Sequence, residues 1–154
     1  MVRNFPYPTF MKIVAQNKKA LFDYEILKKF KAGILLTGAE VKSIRQSKVN
    51  LKGSYVTPDK NAMWIENMHV SPYQPNNQKD YNPTRKRKLL LKQKEIEELT
   101  KAFHDKGQTI IGLAIEIEGK FIKLEIAIGR GKKKYDKRET IKKRDLDREM
   151  RKKI

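Results

Sequence analysis

The chain has 154 residues, with 36 Lys or Arg against 18 Asp or Glu, two histidines and no cysteine, so its formal net charge is +18. The lack of cysteine excludes disulfides, thiolate nucleophiles and cysteine-ligated zinc sites, and it is compatible with a reducing compartment. No apolar run resembles a signal peptide or a membrane span. We therefore expect a cytoplasmic protein without a membrane partner, whose ligand is a polyanion such as RNA.

Two patterns organise the first third of the chain. Apolar and charged side chains alternate from residue 22 to residue 34, which predicts one long, half-buried strand. The segment 37–40 has the spacing of a capping box and starts a short helix. Lys42, Arg45 and Lys48 recur every third residue on its outer side. They form a ridge suited to phosphates, although a solvated helix face would look similar.

The middle of the chain alternates between short apolar runs and turn residues. The patterns predict strands at 54–57 and 62–70, a polar loop with three prolines at 71–83, a helix carrying Leu89, Leu90, Ile96, Leu99 and Phe103, and a hairpin of 109–117 with 121–128. Short strands with two sizeable helices indicate a mainly β fold with flanking helices, in a small closed barrel. An OB-like barrel over residues 1–128 fits best, but the pattern alone does not separate it from another small barrel.

Residues 129–154 form a basic tail with thirteen Lys or Arg against five Asp or Glu. Its large apolar residues, Ile141, Leu146, Met150 and Ile154, are too few to offset a backbone entropy of roughly 1 to 2 kcal/mol per residue. We therefore expect the free tail to be disordered and to fold only on RNA, with the glycines at 129 and 131 acting as a hinge.

Catalytic and metal-binding patterns are weak in this sequence. His69 and His104 are the only histidines, and neither lies in a recognisable motif. The acidic pairs at 116 with 118 and at 145 with 147 are better explained as solvated faces than as magnesium ligands. We predict no catalytic residue, no metal and no cofactor.

A cationic run of Arg85, Lys86, Arg87 and Lys88 precedes three leucines. A solvated surface is the usual explanation for such a run, but the basic character of the whole chain favours RNA contact, with Leu90 stacking on an exposed base. Trp64, Tyr24 and Tyr55 lie inside strand patterns, where core packing is the better interpretation than base stacking.

Four blocks, in this order, are a specific combination. They are Asn17-Lys18-Lys19-Ala20, then residues 38–45 (GAEVKSIR), residues 83–91 (PTRKRKLLL) and residues 131–138 (GKKKYDKR). From residue 17 onward the sequence resembles the SmpB family of SsrA-binding proteins, which partner transfer-messenger RNA (tmRNA) in bacterial ribosome rescue. The resemblance implies an OB-like barrel that binds the tRNA-like domain of tmRNA and delivers it to stalled ribosomes. It implies an adaptor and not an enzyme, and we expect a monomer.

The resemblance also assigns roles to residues. Asn17 and Leu90 match family residues that grip the tRNA-like domain, and the full set of predicted RNA contacts is Asn17, Lys18, Lys42, Arg45, Lys48, Arg85, Arg87, Lys88 and Leu90. The tail would enter the decoding centre and then form a helix in the empty mRNA channel. Its predicted ribosome contacts are Gly131, Lys132, Lys133, Lys134, Tyr135, Asp136, Lys137, Arg138, Ile141, Lys142 and Arg144.

Three positions depart from the family pattern. Lys31 stands where many members carry a glutamate, Tyr135 replaces a frequent histidine, and the turn between residues 117 and 121 lacks a common tryptophan. Two other functions stay open from the residues alone. A basic ribosomal or initiation-type protein would share the composition, and an RNA-processing enzyme is disfavoured by the missing catalytic constellation.

Overall fold

The computed structural model describes residues 12–74, 79–132 and 134–152. Its strands are β1 (Lys12–Gln16), β2 (Tyr24–Ile34), β3 (Val49–Asn50), β4 (Tyr55–Asp59), β5 (Ala62–Glu66), β6 (His69–Val70), β7 (Arg87–Leu90), β8 (Gln108–Glu118) and β9 (Phe121–Gly131). Its helices are α1 (Lys18–Asp23), α2 (Gly38–Arg45), α3 (Gln93–His104) and α4 (Lys134–Lys152).

The main sheet closes on itself. Its antiparallel strands follow the order β1-β8-β4-β5-β7-β2-β9, and β9 pairs again with β8. Strand β8 can contact β1, β4 and β9 because it is long: β1 pairs with its second half, whereas β4 pairs at Ile111. The predicted small, OB-like barrel is confirmed, and closure removes most of the exposed strand edges.

Alternation along the strands fills the barrel with branched aliphatic side chains. Ile110, Ile115, Leu124 and Ile126 are all 0% exposed. They come from the predicted hairpin, whose two strands pair from Gln108 with Arg130 to Glu118 with Phe121. The hairpin prediction is confirmed, with the second strand three residues longer than expected.

Helix α2 begins as the sequence predicts. The Thr37 hydroxyl accepts a hydrogen bond from the Glu40 amide (3.2 Å), and the Glu40 carboxylate accepts one from the Thr37 amide (2.9 Å). This reciprocal capping box is confirmed. The helix ends at Arg45, so Lys48 lies beyond it and the predicted ridge of three cations on one helix is wrong.

Two element predictions near the RNA-binding candidates are also wrong. Leu89 and Leu90 belong to strand β7 and not to the following helix, which begins at Gln93. Leu89 is 2% exposed and Leu90 is 50% exposed, which is the alternation of a strand. Phe22 lies in the short helix α1 and not in the long strand, because the Asn17 side chain caps a helix there.

The C-terminal segment lacks the expected glycine hinge. Gly129 and Gly131 are strand residues paired with Ile26 and Tyr24, so they form no hinge. Helix α4 then starts at Lys134. It contains no Gly or Pro and many Lys, Arg and Glu, which favour helix. Its described side chains from residue 141 to residue 150 are all exposed, so no core covers this segment of the helix.

Candidate RNA-binding surface

Arg87 is the most deeply buried cation of the basic run and has no exposed surface. All five N–H groups of its guanidinium donate hydrogen bonds inside the protein. The acceptors are Glu40 Oε2 (2.7 Å), Met68 O (2.8 Å), Arg85 O (3.2 Å), the Tyr81 hydroxyl (2.9 Å) and Pro83 O (3.0 Å). The prediction that Arg87 contacts RNA is therefore wrong, because a guanidinium has five donors and all of them are used.

Glu40 joins both arginines of the run. Its carboxylate is 1% exposed and pairs with the Arg85 and the Arg87 guanidinium groups. Burial alone would raise the pKa of Glu40, but hydrogen bonds from Arg85, the Thr37 amide and Arg87 outweigh it and hold the pKa at about 2. The Tyr81 hydroxyl lies 3.1 Å from the same carboxylate, and burial raises its pKa. The sequence showed the capping role of Glu40 but gave no sign of this ion-pair cluster.

Arg85 is partly available to a ligand, since about a third of its side chain is exposed. Its Nε donates to Glu40 Oε2 at 3.1 Å. Lys86 is also engaged: its Nζ lies 3.5 Å from Asp59 Oδ2 and 5.2 Å from the centre of the Trp64 ring. The run therefore contributes less free positive charge to the surface than its sequence suggests.

Lys88 and Leu90 lie on the outer face of β7, as an RNA contact requires. Lys88 is exposed and has no ion-pair partner among the described residues, and Leu90 is half exposed. Leu90 pairs in register with Gly33 of β2, where an added Cβ would lie 3.2 Å from the Leu90 Cβ. Leu35, the residue directly after β2, is half exposed, and its amide donates to the Lys88 carbonyl. A cation beside exposed aliphatic side chains can hold a phosphate and a base together.

Asn17 is buried, whereas its predicted contact with RNA requires an exposed side chain. It is 5% exposed, and its Oδ1 accepts a hydrogen bond from the Ala20 amide (3.1 Å) at the start of α1. Its Nδ2 donates to Leu51 O (3.1 Å) and Gly112 O (2.9 Å), which uses both amide hydrogens. Asn17 therefore orients α1 against β8, and the neighbouring Lys18 and Lys19 are the exposed cations of this block.

Lys42, Arg45 and Lys48 are all exposed. The Lys42 Nζ lies 5.3 Å from the centre of the Tyr73 ring, and the Arg45 Nη2 donates to the Lys120 carbonyl in the hairpin turn at 3.1 Å. These contacts fix the direction of each side chain and leave most of its charge accessible to solvent. The three residues remain candidates for phosphate contact.

Lys31 has acidic neighbours on the barrel wall. Its Nζ lies 3.2 Å from Glu116 Oε2 and 3.8 Å from Glu118 Oε1, and Glu116 is only 3% exposed. The hydrogen bond to Glu116 raises the pKa of Lys31, and the charges of Glu118 and Glu125 add to this, although burial acts in the opposite direction. Lys31 thus supplies the partner of a buried carboxylate.

The candidates form two separate groups along β2. Helix α1, with Lys18, precedes the strand, and the Gly33–Leu90 pair lies near its other end. At a rise of about 3.3 Å per residue the two groups are up to about 30 Å apart along the strand. A ligand that touches both must be the size of a folded RNA domain.

The predicted ribosome contacts of the tail lie partly in the barrel and partly on helix α4. Gly131 and Lys132 belong to the body, because Gly131 pairs with Tyr24 and the Lys132 amide donates to the Asp23 carbonyl at 2.8 Å. Lys133 lies outside the described residues. The remaining candidates are on α4: Lys134, Tyr135, Asp136, Lys137, Arg138, Ile141, Lys142 and Arg144. Arg138, Ile141, Lys142 and Arg144 are exposed. The Arg144 guanidinium lies 5.4 Å from the centre of the Phe22 ring.

The described residues contain neither a metal-ligand cluster nor a helix that could span a membrane. No group of three or more His, Asp or Glu side chains in these ranges is arranged to hold a metal ion. None of the helices in the same ranges combines the length and the apolar character needed to cross a membrane.

Comparison with known proteins identifies the family. The family model described as SmpB protein matches residues 14–154. The SsrA-binding protein of Sulfurihydrogenibium sp. (strain YO3AOP1) is 48% identical over 141 residues, which is 92% of this chain and 93% of that protein. The SsrA-binding protein of Latilactobacillus sakei subsp. sakei (strain 23K) is 46% identical over 138 residues, 90% of this chain and 88% of that protein.

A solved structure shares the fold. It is described as "tmRNA-SmpB: a journey to the center of the bacterial ribosome", and it matches with a TM-score of 0.66 and 36% sequence identity over 82% of this chain and 92% of the other. The barrel, the order of the four sequence blocks and these relatives lead to one conclusion. The chain belongs to the SmpB family.

Proposed function

We propose that this protein is a non-catalytic adaptor that binds the tRNA-like domain of tmRNA and brings it to stalled ribosomes in the cytoplasm. The barrel provides the grip on tmRNA, and the tail acts in the decoding centre and the empty mRNA channel. One observation carries the proposal: in a chain of the SmpB family, Lys88 and Leu90 project together from the barrel wall, beside Gly33.

The charge distribution supports the same division of labour. The described side chains of α4 from residue 141 to residue 150 are exposed. In the barrel, by contrast, the buried Arg87 is paired with the buried carboxylate of Glu40. Exposed cations gain most from a partner that carries phosphates, because each contact releases counterions. The tail therefore suits ribosomal RNA, and the barrel keeps its fold without it.

Binding of the tRNA-like domain tests the proposal. A protein that ends after Lys132 keeps the whole of β9 and should bind this RNA with an affinity close to that of the full chain. If about 5 to 8 phosphates are neutralised, the affinity should fall on the order of 10² to 10⁴ between 50 and 200 mM salt. A duplex RNA of equal length is the control, and equal affinity for both RNAs would contradict the proposal.

Co-sedimentation separates this function from that of a permanent ribosomal protein. The adaptor should join ribosomes only with tmRNA and an empty mRNA channel, whereas a structural component would sediment with translating ribosomes as well. RNA turnover in the presence of magnesium tests for an RNA-processing enzyme, and we expect none.

A further inference from the structure

Phe121 begins strand β9 at the tip of the β8–β9 hairpin, and its ring is 59% exposed. Tyr55, at 42%, is less exposed, although its position in a strand predicted core packing. Alternation explains the outward position of Phe121, because the next residue, Ile122, packs against the core. An apolar ring that faces water gains free energy from any ligand that covers it with a flat apolar surface.

Positively charged side chains of the hairpin and of α2 accompany this ring. The Lys120 Nζ lies 5.7 Å from the centre of the Phe121 ring, and the Lys123 Nζ lies 5.9 Å from it. Arg45 of α2 reaches the same turn, where its Nη2 donates a hydrogen bond to the Lys120 carbonyl at 3.1 Å. Lys42 lies one helical turn before Arg45, so both side chains project from the same side of α2. These four cations and Phe121 form the hairpin surface.

The hairpin surface carries a net positive charge. Two carboxylates lie opposite it on β8, where Glu118 pairs in register with Phe121 and Glu116 pairs with Lys123. Lys31 contacts both carboxylates, at 3.8 Å and 3.2 Å. Four cations therefore stand beside two carboxylates that already share another lysine. A ring flanked by cations fits a nucleotide, because the base can stack on the ring while the cations hold phosphates.

The hairpin surface continues the contact region at Leu90. Leu90 pairs with Gly33 of β2, and Gly33 pairs with Lys123 of β9, so the three residues form one row across three strands. Phe121 lies two residues along β9 from this row. With strands about 4.8 Å apart and a rise of about 3.3 Å per residue, about 12 Å separates the backbone at Leu90 from that at Phe121. An RNA segment of a few nucleotides covers that distance.

We propose that Phe121 stacks on an unpaired base of the RNA and that Lys120 and Arg45 hold the adjacent phosphates. The inference rests on the proposed function and names the chemistry of one contact, a stacked base at the hairpin tip. Stacking on an aromatic ring tolerates every base, so this contact selects unpaired nucleotides and not a particular sequence.

Phe121 variants of the full-length protein test the stack with the tRNA-like domain. Phe121→Ala should weaken binding about 5- to 150-fold, the effect of losing one stacked base. Phe121→Trp keeps a flat ring and should bind at least as tightly as the unchanged protein. Phe121→Leu keeps apolar volume without the ring, so its affinity should be close to that of Phe121→Ala. An affinity of Phe121→Leu equal to that of the unchanged protein, or of Phe121→Ala within twofold of it, would overturn the proposal and leave the proposed function standing.

Stability measurements show whether the ring serves the fold instead. The Phe121 variants should keep the midpoint of urea unfolding, because the ring is mostly exposed. Phe103→Ala is the matched control, since Phe103 is an exposed ring (39%) on α3, and it should bind the RNA like the unchanged protein. A fall in the midpoint that accounts for the lost affinity of Phe121→Ala would assign the ring to the fold and overturn the proposal.

The salt dependence of binding separates stacking from charge. Lys120→Ala should lower the slope of log K against log salt by about 0.7 to 0.9, the effect of one lost phosphate contact. Phe121→Ala should leave the slope unchanged, since a stack releases no counterion. Lys106→Ala removes an exposed lysine near the other end of β8 and should also keep the slope. An unchanged slope in Lys120→Ala, or a lowered one in Phe121→Ala, would contradict the proposed contact.

A short RNA tests the hairpin surface without the tRNA-like domain. Single-stranded hexaadenylate should move the ring-proton resonances of Phe121 upfield, and a duplex RNA of equal length should not. Such a shift in a protein that fails to bind the tRNA-like domain would keep the stacking contact and contradict the proposed function. No shift, or an equal shift from the single strand and the duplex, would overturn the hairpin surface as a base site.

Discussion

Two basic segments of this chain have opposite surroundings. In the run from Arg85 to Lys88, the buried carboxylate of Glu40 pairs with both arginines, so half of the cations support the fold. In α4, the described side chains from residue 141 to residue 150 face solvent. Glu40 on α2 neutralises the arginines of the first segment inside the protein. The cations of α4 have no such buried carboxylate among the described residues, so they suit an external polyanion.

The comparison shows that charge density in a sequence does not by itself locate an RNA contact. Strand alternation sends Arg87 inward and Lys88 outward, so adjacent cations have unrelated roles. A buried guanidinium is fully satisfied when each of its five N–H groups donates to a protein acceptor. A lysine ammonium more often stays in water. The predictions below test this contrast, from the largest expected effect to the smallest.

Arg87→Met should have the largest effect on stability. It leaves Glu40 buried with one partner fewer, and breaking a buried ion pair costs about 3 to 5 kcal/mol. Lys88→Met, one residue further on the exposed side, should change the free energy of unfolding by less than about 0.5 kcal/mol and weaken RNA binding instead. Urea unfolding and RNA affinity should be measured for both. Similar losses of stability in the two variants would contradict the contrast.

Stability should depend on pH through Glu40. Its pKa is about 2 in the folded protein and about 4.5 when unfolded, so the unfolded chain binds the proton more tightly. The stabilisation is complete above pH 4.5 and is lost as the pH falls toward 2, by about 3 kcal/mol. Glu40→Gln should be less stable at neutral pH and show a flatter profile between these values. An unchanged profile would mean that other carboxylates control acid unfolding.

Lys31→Glu restores the common residue of the family but should destabilise this chain. It removes the partner of the buried Glu116 and places a carboxylate beside Glu118, at a cost of about 1 to 3 kcal/mol. Lys29→Glu on the same strand is the control and should have little effect. Thermal unfolding should be measured for both variants. If Lys31→Glu is as stable as Lys29→Glu, the pair of Lys31 with Glu116 does not stabilise the fold.

Leu90→Ala should have the smallest effect and should act on binding alone. Half of this side chain is already exposed, so the lost contact with RNA is worth about 1 kcal/mol, or roughly fivefold in affinity. Leu146→Ala removes a similarly exposed leucine from α4 and should leave the affinity for free tmRNA unchanged. If both variants bind equally well, Leu90 is not part of the grip.

Local patterns predicted the barrel well because most of its elements follow local rules. The hairpin of β8 and β9 and the capping box at Thr37 depend on neighbours in the sequence, and both are confirmed. The Asn17 cap was missed because a strand pattern begins within the short helix that it starts. Leu90 was assigned to a helix because three leucines before α3 fit both periods.

The ion-pair cluster could not be predicted from the sequence. Glu40 and Arg87 are 47 residues apart, and only the closed barrel brings them together. The same holds for the Lys31 pair with Glu116. The family pattern marks Lys88 and Leu90, which are exposed, whereas Arg87 was predicted from the cationic run and its side chain points inward.

The division between grip and tail can be tested in one pair of measurements. In a protein with Asp136, Lys137 and Arg138 all replaced by alanine, tmRNA affinity and single-turnover peptidyl transfer on a stalled ribosome should be measured in parallel. We expect the affinity to stay within about twofold and peptidyl transfer to be abolished, because charge-assisted contacts with ribosomal RNA are lost from the tail alone. Full peptidyl transfer, or an equal loss of binding and transfer, would contradict the division.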